Sequence, residues 1–539
     1  MEEERRWRWW QRAVIYHIYP RSFADSNHDG IGDLEGIRRR LDYLVWLGVD
    51  AIWLSPIFPS PMADFGYDIS DYCDVDPTFG TLADLDRLIA DAHARGIRVI
   101  LDFVPNHTSD QHPWFQESRS SRDNPRRHWY IWADPAPNGG PPNNWRSVFG
   151  GSAWEFDPTT GQYYLHTFLK EQPDLNWRNP EVRAAMFDVL RFWFERGVDG
   201  FRIDALRFLI KDEQLRDNPP NPDYTPDQLP FNEAIPAYSA DQYELHEVLA
   251  AMRHVTEAFG ERVLIGEMYI PISRLVTYYG CRHERELHFP FNFQLLLIPW
   301  TARHLAATID TYEGLLGPDD WPNWVLSNHD HSRVATRIGE DQARVAAMLL
   351  LTLRGTPTIY YGDELGLADV PVPPERRQDP LERTLGPGAG RDPCRTPMPW
   401  EPGPHAGFST VEPWLPLNAD YPSRNVAVQR EDPRSMLRLY RELLILRRAE
   451  PALAIGRYRP LGVTAELLAY ERAAAGRRLA IVLNLSGHAQ EFRPTRFALE
   501  GRILLSTHLD RDGESVRGTL ELRPNEGCIV ALRDGVATP

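Results

Sequence analysis

One local pattern occurs three times in the first 205 residues and limits what the chain can fold into. Between residues 33 and 49, Leu34, Ile37, Leu41, Leu44 and Val45 keep helical spacing, and Gly48 then precedes the apolar run AIWL at 51–54. Residues 81–95 repeat it: Thr81 with Asp84 makes a capping-box signal, Leu82, Leu85, Leu88 and Ile89 form one face, and Gly96 precedes IRVIL at 97–101. The third copy starts at Asn179-Pro180, an N-cap followed by a first-turn proline, and Gly197 closes it before VDGFRID at 198–204. Helices alternating with continuous apolar strands predict a parallel sheet buried on both faces.

Further strands are predicted at 13–19, 263–265, 324–327 and 356–361, with a weaker one at 287–289, which makes eight between residues 13 and 361. Two folds fit, a closed (β/α)8 TIM barrel and an open doubly wound sheet. The ends of these runs carry Asp102, His107, Asp204, Glu267, His329 and Asp330. A barrel gathers the C-terminal ends of its strands at one face, where chemistry is done, and this favours the barrel.

The pattern breaks in three places. Residues 106–178 are rich in Trp, Asn, Pro and Gly and form an inserted subdomain after the third strand. A second irregular stretch, 366–431, follows the eighth strand. After a helix at 435–448, short alternating runs such as RLAIVL at 478–483 and GCIVAL at 527–532 predict a C-terminal antiparallel β domain. The expected division is a catalytic barrel at 1–105 and 179–456, an insert at 106–178 and a β-sandwich at 457–539.

Composition removes several classes of function. The 539 residues carry 59 Lys+Arg and 76 Asp+Glu, a net charge of −17, which disfavours nucleic acid as a partner. Lys170 and Lys211 are the only lysines. Cys73, Cys281, Cys394 and Cys528 form no CxxC pair and no metal spacing, and His112 and His128 read as surface residues without ligand spacing. No stretch approaches about 20 consecutive apolar residues, and the first fourteen residues mix acids, arginines and tryptophans. A cytoplasmic protein with no membrane partner is expected.

Three carboxylates end β-rich stretches: Asp204 in GFRIDAL, Glu267 in LIGEMY and Asp330 in SNHDHSR. A barrel would bring them together. Two carboxylates flanking a glycosidic bond can cleave it with retention: one attacks the anomeric carbon, the other protonates the leaving oxygen and later activates water. One must then stay ionised while the other holds a proton, as crowding between anions allows. Arg202 lies two residues before Asp204, on the same face of its strand.

DFVPNH (102–107), GFRIDA (200–205), GEMY (266–269) and SNHD (327–330) resemble, in order, the four signature regions of the α-amylase family, glycoside hydrolase family 13. The resemblance covers essentially the whole chain. It implies Asp204 as nucleophile, Glu267 as general acid/base and Asp330 as a group holding sugar hydroxyls in the transition state. It places Arg202, His107 and His329 around the sugar on the non-reducing side, with Arg202 keeping Asp204 ionised. The family's barrel carries an insert after strand three and a C-terminal β domain, where the breaks were read.

FGYDISDY (65–72), GSAWEFD (151–157), QPDLNW (172–177) and RTPMPW (395–400) resemble the branch of α-glucosidases and oligo-1,6-glucosidases. Asp64 and Arg395 match residues that grip the terminal sugar and close the pocket's far end, which implies exo-action. Tyr67, Phe149 and Phe168 would offer apolar faces to the pyranose ring, the alternative for each being ordinary core. Relatives selective for α-1,6 bonds usually carry Val after the nucleophile, whereas Ala205 stands here. The expectation is an α-glucosidase acting on short oligosaccharides or disaccharides and leaning to α-1,4 linkages. The alternatives are a transglucosylase or sucrose-type isomerase using the same glucosyl-enzyme, an oligo-1,6-glucosidase and, remotely, a non-catalytic binding subunit.

No catalytic cofactor is expected. The run DSNHDGIGD at 25–33 is rich in oxygen donors suited to Ca²⁺ or Mg²⁺. It opens like an EF-hand, but the twelfth position is Gly36, which argues against that motif. It resembles instead the single-ion loop of this branch, with Asp25, Asn27, Asp29, the Ile31 carbonyl and Asp33 as structural ligands. The alternative is a turn closed by Asx hydrogen bonds alone.

Overall fold

The computed structural model describes residues 7–226, 228–281, 284–494 and 498–533. The first and last six residues of the chain, and the Cys281 side chain, lie outside this description.

Eight parallel strands form the barrel: β1 (Ile15–Ile18), β2 (Ala51–Leu54), β3 (Arg98–Phe103), β4 (Gly200–Ile203), β5 (Val263–Gly266), β6 (Phe289–Pro290), β7 (Asn323–Val325) and β8 (Thr356–Tyr360). Their ladders run β6-β5-β4-β3-β2-β1-β8-β7. The β6–β7 seam is filled by side chains, with Trp53, Phe289, Phe291, Phe293, Trp321 and Val325 in one buried cluster. Along each strand, alternate residues turn inward. Ile15, Ala51, Ile100, Val263 and Ile265 pack the interior, while Tyr16, Ile52, Leu101, Phe201 and Leu264 face the helices. The same alternation carries Asp102, Arg202 and Asp204 to the inner C-terminal rim.

The helices behave as their caps dictate. Thr81 and Asp84 form the reciprocal capping box of Leu82–Ala94, and Asn179 caps Pro180–Glu195 with a bond from the Glu181 amide. Gly48, Gly96 and Gly197 sit at φ 103°, 76° and 98°, conformations that a side chain would strain. The helix expected across 33–49 is broken in two, Leu34–Arg39 and Leu41–Leu47, at Arg40 with φ −99° and ψ 4°. Apolar periodicity runs through that break because both halves cover the same core.

Within 106–178, Trp132–Ala133, Gln162–Leu165 and Trp154–Asp157 form a three-stranded antiparallel sheet beside the helix Pro113–Ser120. His112 is not a surface residue: it is 5% exposed, and its Nδ1 accepts from the Trp114 amide at the start of that helix. Burial lowers its pKa to about 3.

The C-terminal part pairs a six-stranded antiparallel sheet with a two-stranded one. Leu467, Ala469, Ala480, Val482 and Val530 face Phe492, Leu520 and Leu522 across the sandwich. The alternate residues Leu468, Tyr470, Leu479, Ile481 and Ile529 join the main core, which the helices Glu340–Thr352 and Met436–Ala449 also supply. Buried Arg472 binds this seam through carbonyls, donating to Thr352 and Gly456, while buried Arg447 ties the barrel side together, donating to Leu351, Leu353, Leu453 and Gly355. Among the described residues no helix is long and apolar enough to cross a membrane. Cys73, Cys394 and Cys528 are free thiols.

Candidate active site

At the C-terminal rim of the barrel, Arg202 is the hub. It is 1% exposed, with its guanidinium over the Trp53 ring at 5.0 Å. Its Nη1 donates to Asp102 at 2.9 Å and to Asp204 at 2.6 Å, and its Nη2 pairs with Glu267 at 2.8 Å. Glu267 also accepts from the Ala205 amide at 2.8 Å. Ala205 reaches this position at φ 49° and ψ 31°, a left-handed conformation rare outside glycine.

Three carboxylates on one guanidinium cannot all ionise freely. Burial pushes the Asp204 carboxyl well above the ordinary range and the Glu267 charge adds to this; Arg202 opposes both without prevailing. Arg202 favours the ionised form of Asp204, as expected of an adjacent cation, but its guanidinium is divided among three acids and works against burial and the Glu267 charge. Burial also raises Asp102 to about 6.

A second hub is Arg391. It donates to Asp64 at 2.8 Å, to Asp330 at 3.1 Å and to Asp379 at 2.8 Å, with its guanidinium 5.4 Å from the centre of the Phe149 ring. Arg395 lies behind it, 1% exposed, donating to the His329 carbonyl at 2.7 Å and to Asp330 at 3.2 Å. Against burial, which raises it, the fixed cations Arg391 and Arg395 hold Asp330 well below the usual carboxylate range. Burial raises Asp64 despite Arg391. Tyr67 Oη donates to Asp102 at 3.0 Å and lies 2.8 Å from His329 Nε2. Burial lowers His107 to about 4 and His329 well below its ordinary value, so both are neutral near pH 7.

These residues line a cavity of about 490 Å³. Of the residues expected from sequence, Asp64, Tyr67, His107, Phe149, Phe168, Asp204, Ala205, Glu267, His329 and Asp330 line it, whereas Arg202 and Arg395 lie behind its wall. Phe168 packs among His107, Phe149 and Phe208, with ring centres 5.1, 6.2 and 5.7 Å away. The opposite wall, toward solvent, is largely apolar and includes Phe208, Leu229, Phe231, Tyr269 and Leu297.

Residues 17–456 match the family described as alpha amylase, catalytic domain. The chain belongs to the α-amylase family. It is 45% identical over 526 residues to a probable alpha-glucosidase of Rhizobium meliloti, covering 94% of this chain and 95% of the relative. It is 38% identical to an oligo-1,6-glucosidase of Parageobacillus thermoglucosidasius, with 97% and 99% covered. Among solved structures, the alpha-glucosyl transfer enzyme XgtA aligns with a TM-score of 0.91 at 43% identity, over 98% of this chain and 100% of that one. The chain is thus a glycoside hydrolase of the α-glucosidase type.

Within this α-amylase-family barrel, sequence reasoning missed Arg391. It stands four residues before Arg395 in GRDPCRTPMPW (390–400), and both could have been matched to the pocket's far end. Arg391 is the arginine paired with Asp64. Gln172 of QPDLNW was also missed as a link: its Nε2 donates to Asp64 at 3.2 Å and lies 3.1 Å from His107 Nε2. Asp174 of that motif pairs with buried Lys211 at 2.7 Å.

The loop 25–33 stands apart from the cavity. Asp25 accepts from the amides of Asn27, His28 and Gly30 and from Ser409 Oγ. Asp33 accepts from Ser26 and caps the helix Leu34–Arg39 through the Gly36 amide. Asn27 and Asp29 bond to one another, and the Ile31 amide donates to Asp29. Asx bonds therefore close the turn, and among the described residues no three His, Cys, Asp or Glu side chains converge as a metal cluster. The donor chemistry, all oxygen, still matches a hard cation.

Proposed function

We propose that this enzyme is a retaining, exo-acting α-glucosidase releasing α-glucose from the non-reducing end of short α-glucosides, with α-1,4 linkages preferred. The observation that carries the reading is the attachment of Asp204 and Glu267 to the two terminal nitrogens of Arg202, in a cavity whose far end is closed by Asp64 with Arg391. Carboxylates held this close suit double displacement, which needs about 5 Å between them, better than inversion, which leaves room for a water between them.

In the first step Asp204 attacks the anomeric carbon as the proton held by Glu267 passes to the departing glycosidic oxygen. In the second, Glu267 takes a proton from water, whose oxygen displaces Asp204 and frees α-glucose. Asp330, kept anionic by its two arginines, would accept bonds from sugar hydroxyls, and neutral His107 and His329 would bond others. Tyr67 and Phe168 offer ring faces to the pyranose. The α-1,4 preference rests on the small Ala205 beside Asp204. The loop 25–33 is proposed to take a structural Ca²⁺ or Mg²⁺ on the chemistry of its five oxygen donors, with Asn27 and Asp29 exchanging their mutual bond for the ion.

A time-resolved NMR product profile on maltose, isomaltose and sucrose tests the reading. Early α-glucose, fastest from maltose, supports it. Faster isomaltose cleavage overturns the linkage assignment alone, and β-glucose as first product overturns retention. New glucosides as the main product would make the enzyme a transglucosylase or sucrose-type isomerase.

A further inference from the structure

The charges lining the cavity pair off with one exception. Asp204 and Glu267 share Arg202, and Asp64 and Asp330 share Arg391. Arg207 lines the same cavity on the side where a departing group would sit, between Ala205 and the apolar mouth. Leu229 and Leu297, 46% and 53% exposed, mark that mouth. Among the described residues, no carboxylate lies within ion-pair distance of Arg207. Two acids act on it from further off: Asp241, held by two bonds from Arg274 at 3.0 Å and by the Tyr278 hydroxyl, and Glu267, held by Arg202 at 2.8 Å.

The guanidinium has five N–H donors, and Arg207 engages one of them, from Nη1 to the Tyr269 carbonyl at 3.0 Å. None of its nitrogens is both buried and without a partner, so the remaining donors are accessible, on a residue that lines this cavity. Phe208 and Phe231 hold the planar group from the side, with ring centres 4.6 and 5.9 Å away. This is a half-buried, oriented cation fork without an acid, next to the group that protonates the leaving oxygen. A planar fork of this kind matches carboxylate and phosphate oxygens. Glu267 itself is held by Arg202 Nη2 at 2.8 Å and by the Ala205 amide at 2.8 Å.

We propose that Arg207 selects α-glucosides whose departing group carries an anion, a carboxylate or a phosphate. This rests on the reading of Asp204 and Glu267 as the cleaving pair. The probes are 4-carboxyphenyl α-glucoside, its neutral methyl ester, and maltose with a phosphate on O6 of its reducing-end ring, each assayed with the unaltered enzyme and with Arg207→Gln and Arg207→Lys.

The readout is the ratio of kcat/KM for each anionic probe to that for its neutral counterpart, the methyl ester or maltose. Arg207→Gln should lower the ratio by about tenfold to a hundredfold, the scale of one charge-assisted hydrogen bond. Arg207→Lys should restore part of it, and added salt should lower it in the unaltered enzyme. A fall for only one anionic probe identifies which anion is recognised. A ratio that moves less than about twofold with both variants overturns the proposal and leaves Arg207 as a support for Tyr269 and Phe208. If the unaltered enzyme turns over none of the probes nor maltose, the glucosidase reading fails as well.

Discussion

Asp204, Glu267 and Asp102 meet on one guanidinium, so each reports on the others when altered. Asp204→Asn keeps the shape and the Arg202 contact but removes the nucleophile; turnover should fall by at least about 10⁴-fold with folding intact. Steady-state kinetics with a circular dichroism check measures both. Arg391→Ala leaves Asp64 and Asp330 without the cation they share. The sign follows from charge: loss of the cation raises both carboxyl pKa values, so the acid limb of the kcat/KM profile should move to higher pH. The rate at the optimum should fall about 10²-fold. A profile that keeps its acid limb would show that neither acid needs to be ionised. The acids that the barrel gathers at its rim, Asp204, Glu267 and Asp330, were legible because each sits in a run of distinctive residues ending a strand. The Asp64 partner was not, because Arg391 and Arg395 differ only in which way the irregular chain between them turns.

The strands of the barrel were legible wherever the run was long and apolar. β6, only Phe289–Pro290, was read two residues early, since so short a strand is set by its neighbours rather than by its own pattern. Gly200, which opens β4, has a requirement that pattern reading does not reach. A Cβ there would lie 2.5 Å from the Val263 carbonyl oxygen and 2.3 Å from its Cγ1. Gly200→Ala should therefore destabilise the protein by about 1–3 kcal/mol, read as a lower Tm, because β4 and β5 must separate. The loop 25–33 makes a different prediction. If it holds an ion, a chelator should lower Tm by a few degrees and Ca²⁺ or Mg²⁺ should restore it. An unchanged Tm would leave the Asx bonds as the whole of its closure.

The division into barrel, insert and sandwich could be read from changes of grammar along the chain. How the sandwich is fixed to the barrel could not, because that depends on carbonyls, which sequence does not display. Arg472, fully buried on the sandwich strand Leu467–Ala474, donates across the seam to the Thr352 and Gly456 carbonyls. Arg472→Met keeps the bulk and leaves those carbonyls without this donor. It should lower stability by about 3 kcal/mol or more, visible as one earlier melting transition for the whole molecule. Two resolved transitions would mean that barrel and sandwich melt independently.

The scarcity of lysine has a practical side. Lys211 is 4% exposed and locked to Asp174, while Lys170 stands in solvent, one residue past Leu169 on the insert. Reagents that acylate side-chain amines, from dyes to activated resins, therefore meet one accessible lysine. A bead coupled at Lys170 would hold every molecule in the same orientation, with the insert turned toward the support.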